Sequence, residues 1–319
     1  MNAATMGTSP LQREECRHSC SGGVRTAVRR PLRLAAAFTL HLLLAATASA
    51  QFGFQIPRLL KPSGQIDPAL MPEVSGIVQS LRYDGVFWVL GDSGSGNRIA
   101  PVTADGKLAR GWPGAVAIEG IKNNDWEDIA LDGQGNLIIA DIGNNSGRRK
   151  QLMLHFVREP RPGAKSVKPT RTIRVHYEDQ KGESPDFDCE AVFCSNDRIY
   201  VLTKRRSDNR THLYRVAGDA AGRSNPLRRV ADFDIGGLVT SADVSPDGRL
   251  VAVLTYGSLW VFPANAKTGD IFRGPARRLP IFAWQAEGVA FDGNDALVVA
   301  NEEGQLHRVA LSDFPAAQP

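Results

Sequence analysis

The stretch DWEDIALDGQGNLIIADIGNN, Asp125 to Asn145, decides the fold. It reads as two short strands joined by a tight turn: Ile129 to Leu131 precede Asp132-Gly133-Gln134-Gly135, and Leu137 to Ala140 follow it. Gly and Asp in the turn tolerate left-handed backbone, and the flanking apolar runs have strand length. Glu127 stands where the first strand begins and Asp141 where the second ends, so an antiparallel hairpin brings both carboxylates to one edge.

The same unit recurs. EVSGIVQSLRYDGVFWVLGDSG starts at Glu73, CEAVFCSNDRIYVLTKRR carries Glu190, SADVSPDGRLVAVLTYG carries Asp243, and AEGVAFDGNDALVVANEEG carries Glu287. Between these hairpins lie further strand-like segments, among them QLMLHFVRE, TRTIRVHYED, THLYRVA, PLRRVADFDI, SLWVFPA and ARRLPIFA. Four strands per repeat at roughly 40–50 residues, with no sustained 3.6-residue apolar period, predict an all-β fold: a single β-propeller of four-stranded blades. Five blades are expected, or six if another hides in the 63-residue interval between Glu127 and Glu190, around Arg161 to Pro169; a two-sheet sandwich is the competing architecture. The last copy supplies three strands, ending with QLHRVAL, and FQIPRLL from Phe54 is the expected closing strand.

In a propeller the first strand of each blade lines the central channel, so the repeated acids are expected at one mouth. The inner set is Glu73 (with Ser75), Glu127, Glu190, Asp243 and Glu287; the set at the second-strand ends is Asp92, Asp141, Lys204, Tyr256 and Asn301. Asn123, Asn124, Asp125, Asn144 and Asn145 add oxygens around the second copy. Carboxylates crowded at one mouth repel one another, and a hard cation relieves this. The oxygen-rich donor mixture suits Ca²⁺ rather than Zn²⁺, and no HxxxH spacing occurs. The expected metal ligands are Glu73, Asn124, Asp125, Asp141, Asp243, Glu287 and Asn301. A carboxylate at a strand entry can equally brace backbone N–H groups, and a repeat would copy that brace.

The first fifty residues read as a secretory signal peptide: a segment with Arg13, Arg17, Arg25, Arg29, Arg30 and Arg33, an apolar run from Leu34 to Ala46, then Ala48-Ser49-Ala50. The apolar run is too short for a membrane span, and translation starting at Met6 or later would shorten the leader. Of the chain's 38 basic and 34 acidic residues, six Arg and two Glu lie in this leader, so the remainder is balanced at zero formal charge. That balance gives no support to nucleic-acid or membrane binding. An exported monomer is expected, periplasmic or secreted, folded as one domain over residues 51–319. Cys189 and Cys194 share one predicted strand, too far apart along it for a disulfide, and are expected as two buried thiols.

GDSGSGN at Gly91 lacks the features of a phosphate loop, and Ser93 lacks a nucleophile elbow. Asn144-Asn145-Ser146 and Asn209-Arg210-Thr211 match the glycosylation acceptor pattern. Arg148-Arg149-Lys150 and Lys204-Arg205-Arg206 follow second strands on the acidic face and could hold a phosphate or carboxylate beside a cation.

EVSGIV with VLGDSG, DWEDIA with ADIGNN, DCEAVF with TKRR, and SADVSPDG with TYG together resemble secreted bacterial β-propeller proteins of the phytase-like or esterase-like group, over most of residues 73–303. More distantly, carboxylates and Asn at a propeller mouth resemble the gluconolactonase and paraoxonase type, whose metal activates an ester carbonyl. Lys204 and Tyr256 stand where that pattern would have further acids, so any site is lopsided. The resulting expectation is a Ca²⁺-dependent hydrolase of phosphate or carboxylic esters acting on a small anionic or ester substrate. Glu127 would activate water, Lys204 and Arg148 would offset anionic charge, and Asp92, Arg149 and Glu190 would bind substrate. The alternative is a non-catalytic propeller that binds a protein, peptide or glycan, its acids serving as braces or as one structural Ca²⁺ site.

Overall fold

Five inner strands pack side by side in a closed ring: Val74–Gln79, Trp126–Leu131, Cys189–Ser195, Val239–Val244 and Ala286–Asp292, the last returning to the first. This computed structural model describes residues 55–317; the leader reading for residues 1–50, with its alternative start at Met6, lies outside the described residues. Each inner strand pairs antiparallel with the next strand in sequence, and further strands add outward. The second and third repeats merge into one eight-stranded sheet through parallel pairing of Arg174–Tyr177 with Ser224–Leu227. The architecture is all-β and of propeller type. Among the described residues no helix is long and apolar enough to cross a membrane.

The hairpin turns show why these segments fold back. Gly135 adopts φ 75° in the second repeat, while the third places Asn196 and Asp197 at φ 51° and 58°, side chains that tolerate left-handed backbone. Apolar clusters then form between neighbours. One joins Val78, Trp88 and Val116 to Trp126, Ile139 and Val157; another joins Val74, Phe87 and Val89 to Val298, Ala300 and Leu306, coupling the first repeat to the last. Three more join the second repeat to the third, the third to the fourth and the fourth to the fifth. Each repeat thus buries both faces against its neighbours, which explains inner strands apolar on both sides.

The closing strand differs from the expected one. Gly64–Gln65 pairs antiparallel with Gln305–Leu306, whereas Arg58–Leu59, inside the FQIPRLL segment, pairs in parallel with Ile281–Phe282 at the edge of the fourth repeat. Phe54 lies outside the described residues. No extra repeat occupies residues 161–169; Ser166–Val167 adds only a two-residue edge beside Ala117–Ile118. Both cysteines are free thiols, but only Cys189 is buried as expected; Cys194 is half-buried, and burial raises both.

The channel is plugged by Asp128, which is fully buried. Its carboxylate accepts from the Val192 N–H (3.0 Å), the Ala242 N–H (3.2 Å) and the Ser241 hydroxyl (3.1 Å), tying together three inner strands. Ser241 Oγ in turn accepts from the Val289 N–H at 3.1 Å. Gly76 is required beside this plug, since a Cβ there would lie 2.8 Å from Asp128 Cα.

Asp243 lies at the far end of its strand, with Gly133, Asn196 and Pro246, and not at the entry mouth. It accepts from the Phe291 N–H at 2.7 Å, and burial pushes its carboxyl from the ordinary 3.8 up to about 7. The folded state therefore holds this proton more tightly than the unfolded state. The associated stability is complete below about pH 4 and is lost as pH rises toward 7, a change on the order of a few kcal/mol. Asp243→Asn should flatten this dependence, raising the melting temperature over wild type at pH 8 but not at pH 4. Parallel melting curves at both pH values would expose the account as wrong.

Candidate functional site at the channel mouth

A β-bulge recurs at the second residue of every inner strand, between Val74 and Gly76, Trp126 and Asp128, Cys189 and Ala191, Val239 and Ser241, and Ala286 and Gly288. The bulged residues are Ser75, Glu127, Glu190, Thr240 and Glu287. A bulge leaves one residue out of the ladder and re-aims its side chain. Ser75, Glu127, Glu190 and Glu287 line a cavity of about 250 Å³ at the mouth. Thr240, not Asp243, holds the equivalent position in the fourth repeat; aligning that repeat on its acid displaces it by three residues.

The second-strand ends show a one-residue displacement. Opposite the inner-strand starts stand Gly91, Asp141, Thr203, Thr255 and Asn301, while Asp92, Lys204, Tyr256 and Glu302, one position later, line the cavity. A shift of one residue turns a side chain to the other face. Asp141 and Asn301 are consequently braces. Asn301 Oδ1 accepts from the Gln305 N–H at 2.7 Å. Asp141 accepts from Asn124 Nδ2 (2.7 Å), the Asp125 N–H (3.2 Å) and the Arg149 guanidinium. Burial opposes ionisation of Asp141, but His155, Asn124 and Arg149 prevail and hold its carboxyl below the usual range.

Neither Asn301 nor Asp141 faces a cation position, and Asn124 directs its amide to Asp141. Arg149 also donates to the Gly143 carbonyl at 2.8 Å, so it braces the loop instead of facing the cavity. Arg148 is exposed and does not line the cavity. Asn144 is buried and accepts from the Arg149 N–H at 2.7 Å, which is unsuited to a glycan acceptor.

Asp92, Asp125 and Glu127 do converge: each offers a carboxylate oxygen, all within 4.8 Å of one another. Asn123 positions the first of them by donating to the carbonyls of Gly91 and Asp92, both at 2.9 Å. Gly143 makes room for the other two. A Cβ there would lie 2.0 Å from Glu127 Oε1 and 2.5 Å from Asp125 Oδ2. Burial, then Asp92, pushes Asp125 up to about 6, with Arg149 opposing. Glu127 is driven well above its ordinary value by burial and then by Glu190, Asp125 and Asp92. Among the described residues, its carboxylate has no hydrogen-bond or ion-pair partner. Three crowded carboxylates, Glu127 buried and Asp92 and Asp125 half-buried, form a donor set that fits a hard divalent cation.

Across the mouth, Lys204 Nζ lies 2.9 Å from Glu190 Oε2 and donates to the Tyr256 hydroxyl at 3.0 Å. Tyr256 donates to Glu287 Oε1 at 2.9 Å. Burial weakens the Lys204 ammonium, but Glu190 and Glu287 prevail and hold it above the ordinary lysine value. Burial raises Glu190 to about 8 and Glu287 to about 7, against the pull of Lys204. Arg206 pairs with Asp188 and stands 3.9 Å from Glu190 Oε1. Tyr256, Arg206, Gln285 and Glu302 belong to the cavity wall; of these, Glu302 and Gln285 escaped the sequence reading, although each adjoins a strand end that it identified.

These features define an all-β, propeller-type protein with an acidic channel mouth. No protein-family profile matches the chain, and no curated protein matches it. Among solved structures it is similar to virginiamycin B lyase from Staphylococcus aureus, at 15% identity, covering 75% of this chain and 66% of that one, TM-score 0.38. It is also similar to the PQQ-bound aldose sugar dehydrogenase of Streptomyces coelicolor, at 12% identity, covering 82% and 96%, TM-score 0.42. A third is the periplasmic gluconolactonase of Pseudomonas aeruginosa, at 17% identity, covering 76% and 69%, TM-score 0.39.

Proposed function

We propose that this chain is an exported five-bladed propeller that hydrolyses esters at the acidic mouth with the help of a divalent cation, Ca²⁺ by donor chemistry. The observation that carries the reading is the convergence of Asp92, Asp125 and Glu127, with Glu127 buried and unpartnered among the described residues. These three side chains would hold the ion, which supplies charge neutralisation and polarisation of an ester oxygen. Glu127 is thereby assigned to holding the ion. Glu287, raised to about 7 by burial, is the group suited to taking a proton from water near neutral pH. Lys204 and Tyr256 present a fixed positive end toward the charge that develops on the ester. The cavity wall carries Glu73, Asp92, Glu127, Glu190, Glu287 and Glu302 against only Lys204 and Arg206, so a carboxylic ester suits it better than a phosphate ester.

Added Ca²⁺ should raise the melting temperature of chelator-treated protein, with a gain of about 2.7 kcal/mol at a hundredfold excess over Kd. Glu127→Gln should abolish that gain. Turnover of aryl acetates and lactones should disappear with chelator and return with Ca²⁺. A melting temperature indifferent to Ca²⁺, or chelator-resistant turnover, contradicts the proposal.

A further inference from the structure

The second and third repeats meet over an apolar seam that contains Phe156, Val192 and Val201. At the end of this seam away from the acidic mouth, beside Gly133 and Asp197 of the two hairpin turns, lies a cavity of about 610 Å³. Its volume falls in the range of sites for small organic ligands.

Strand register aims two cations into it. Phe156 is buried and faces the seam from the strand Leu152–Arg158. Arg158 follows it by two residues, and Arg171, at the start of the strand Arg171–Tyr177, is its cross-strand partner. Both arginines therefore leave the sheet on the face that Phe156 occupies, and both line the cavity. The Arg171 guanidinium carbon stands 4.0 Å from the centre of the Phe156 ring, which holds it over an apolar base. The opposite wall, from the third repeat, is apolar: Cys194, Ile199 and Val216, each half-buried, pack against the same seam.

These arginines have donors to spare. Arg158 donates from Nη1 to the Gln134 carbonyl at 2.7 Å and has no carboxylate partner among the described residues. Arg171 meets Asp219 at 3.2 Å, but that carboxylate is 82% exposed, so solvent screens the pair. Each guanidinium carries five N–H donors, and most stay free for a ligand. The other acids on the wall compete weakly. Asp132 is spent on the N–H groups of Gln134 (2.9 Å) and Asn136 (2.8 Å) and on the Asn136 amide, and Arg198, also on the wall, offsets its neighbour Asp197.

We propose that this seam cavity binds a small amphiphilic anion, a carboxylate or phosphate on an apolar body. The head lies between Arg158 and Arg171, where planar guanidinium groups suit an oxyanion, and the body lies on Cys194, Ile199 and Val216. The site stands at the other end of the propeller from the acidic mouth and does not depend on the ester-hydrolase reading.

The test is calorimetric titration of the full chain with octanoate and octyl phosphate, with octanol, octylammonium, acetate and inorganic phosphate as comparisons. At least one of the two amphiphilic anions should bind at one saturable site, and the tighter of them identifies the head group. The neutral, cationic and head-only compounds should each bind about tenfold or more weakly. Arg158→Gln and Arg171→Gln should each weaken the preferred anion about tenfold or more, and added salt should weaken it in the wild type. Both side chains reach the surface, so melting curves of the variants should stay close to wild type; the salt series decides independently of them. Failure of both anions to bind saturably, octanol or the bare head groups binding as tightly, affinity indifferent to salt, or unaltered affinity in either folded variant overturns the proposal.

Discussion

Lys204→Met should lower the melting temperature by roughly 5–10 °C, from a destabilisation of about 3–5 kcal/mol. The ammonium is buried against the carboxylate of Glu190, itself only 4% exposed, and supports the Tyr256 hydroxyl. Methionine fills most of the volume but leaves Glu190 with only Arg206, at 3.9 Å, as a nearby cation. The free carboxylate must then be protonated or remain buried and uncompensated.

The sign of the pH dependence follows. Glu190 already sits above its ordinary 4.5 through burial, and losing the lysine raises it further. Stability tied to this proton is present at low pH and disappears as pH climbs through the folded value, so the deficit of the variant should widen from pH 6 to pH 9. Adding Glu190→Gln to Lys204→Met should recover most of the loss, because the amide needs no counter-ion. Thermal melts of wild type, single and double variants at several pH values make the comparison. A single variant within about 2 °C of wild type throughout would rule out a tightly held pair, since that shift is about 1 kcal/mol or less.

The second large effect concerns Asp128. Asp128→Ala removes the shared acceptor of the Val192 and Ala242 N–H groups and the Ser241 hydroxyl, all in a site closed to solvent. Each orphaned donor costs about 1–3 kcal/mol, so the total is on the order of 5 kcal/mol, comparable with the whole stability of many domains. Asp128→Asn retains an acceptor oxygen and removes a carboxyl whose ionisation burial disfavours. The asparagine variant should therefore fold with near-native stability while the alanine variant unfolds at much lower denaturant. Equal midpoints for the two in guanidinium chloride would mean that the axial hydrogen bonds contribute little.

Local sequence determined the hairpins. Short apolar strands around Asp132-Gly133-Gln134-Gly135 and its counterparts fold back through contacts between near neighbours, and the repeat interval leaves space for outer strands. It also determined the chemical character of the mouth, because Glu127, Glu190, Glu287, Asp92 and Lys204 all reach it. Which oxygens converge was not legible from spacing. The bulge at the head of each inner strand and the one-residue offset at each second-strand end are register choices, and register is set by pairing between strands. Asp141 and Asn301 look like rim residues until that pairing turns them inward, while Glu302 escapes notice for the same reason. Asp243 carries the expected acid in the fourth copy, yet Thr240 occupies the bulge. The ring closure is likewise tertiary: Gly64–Gln65 gains its place only because Gln305–Leu306, far along the chain, offers a strand edge to pair with. Sequence alone thus determined a repeated acidic hairpin, and only long-range packing decided which carboxylates face one another and which brace the backbone.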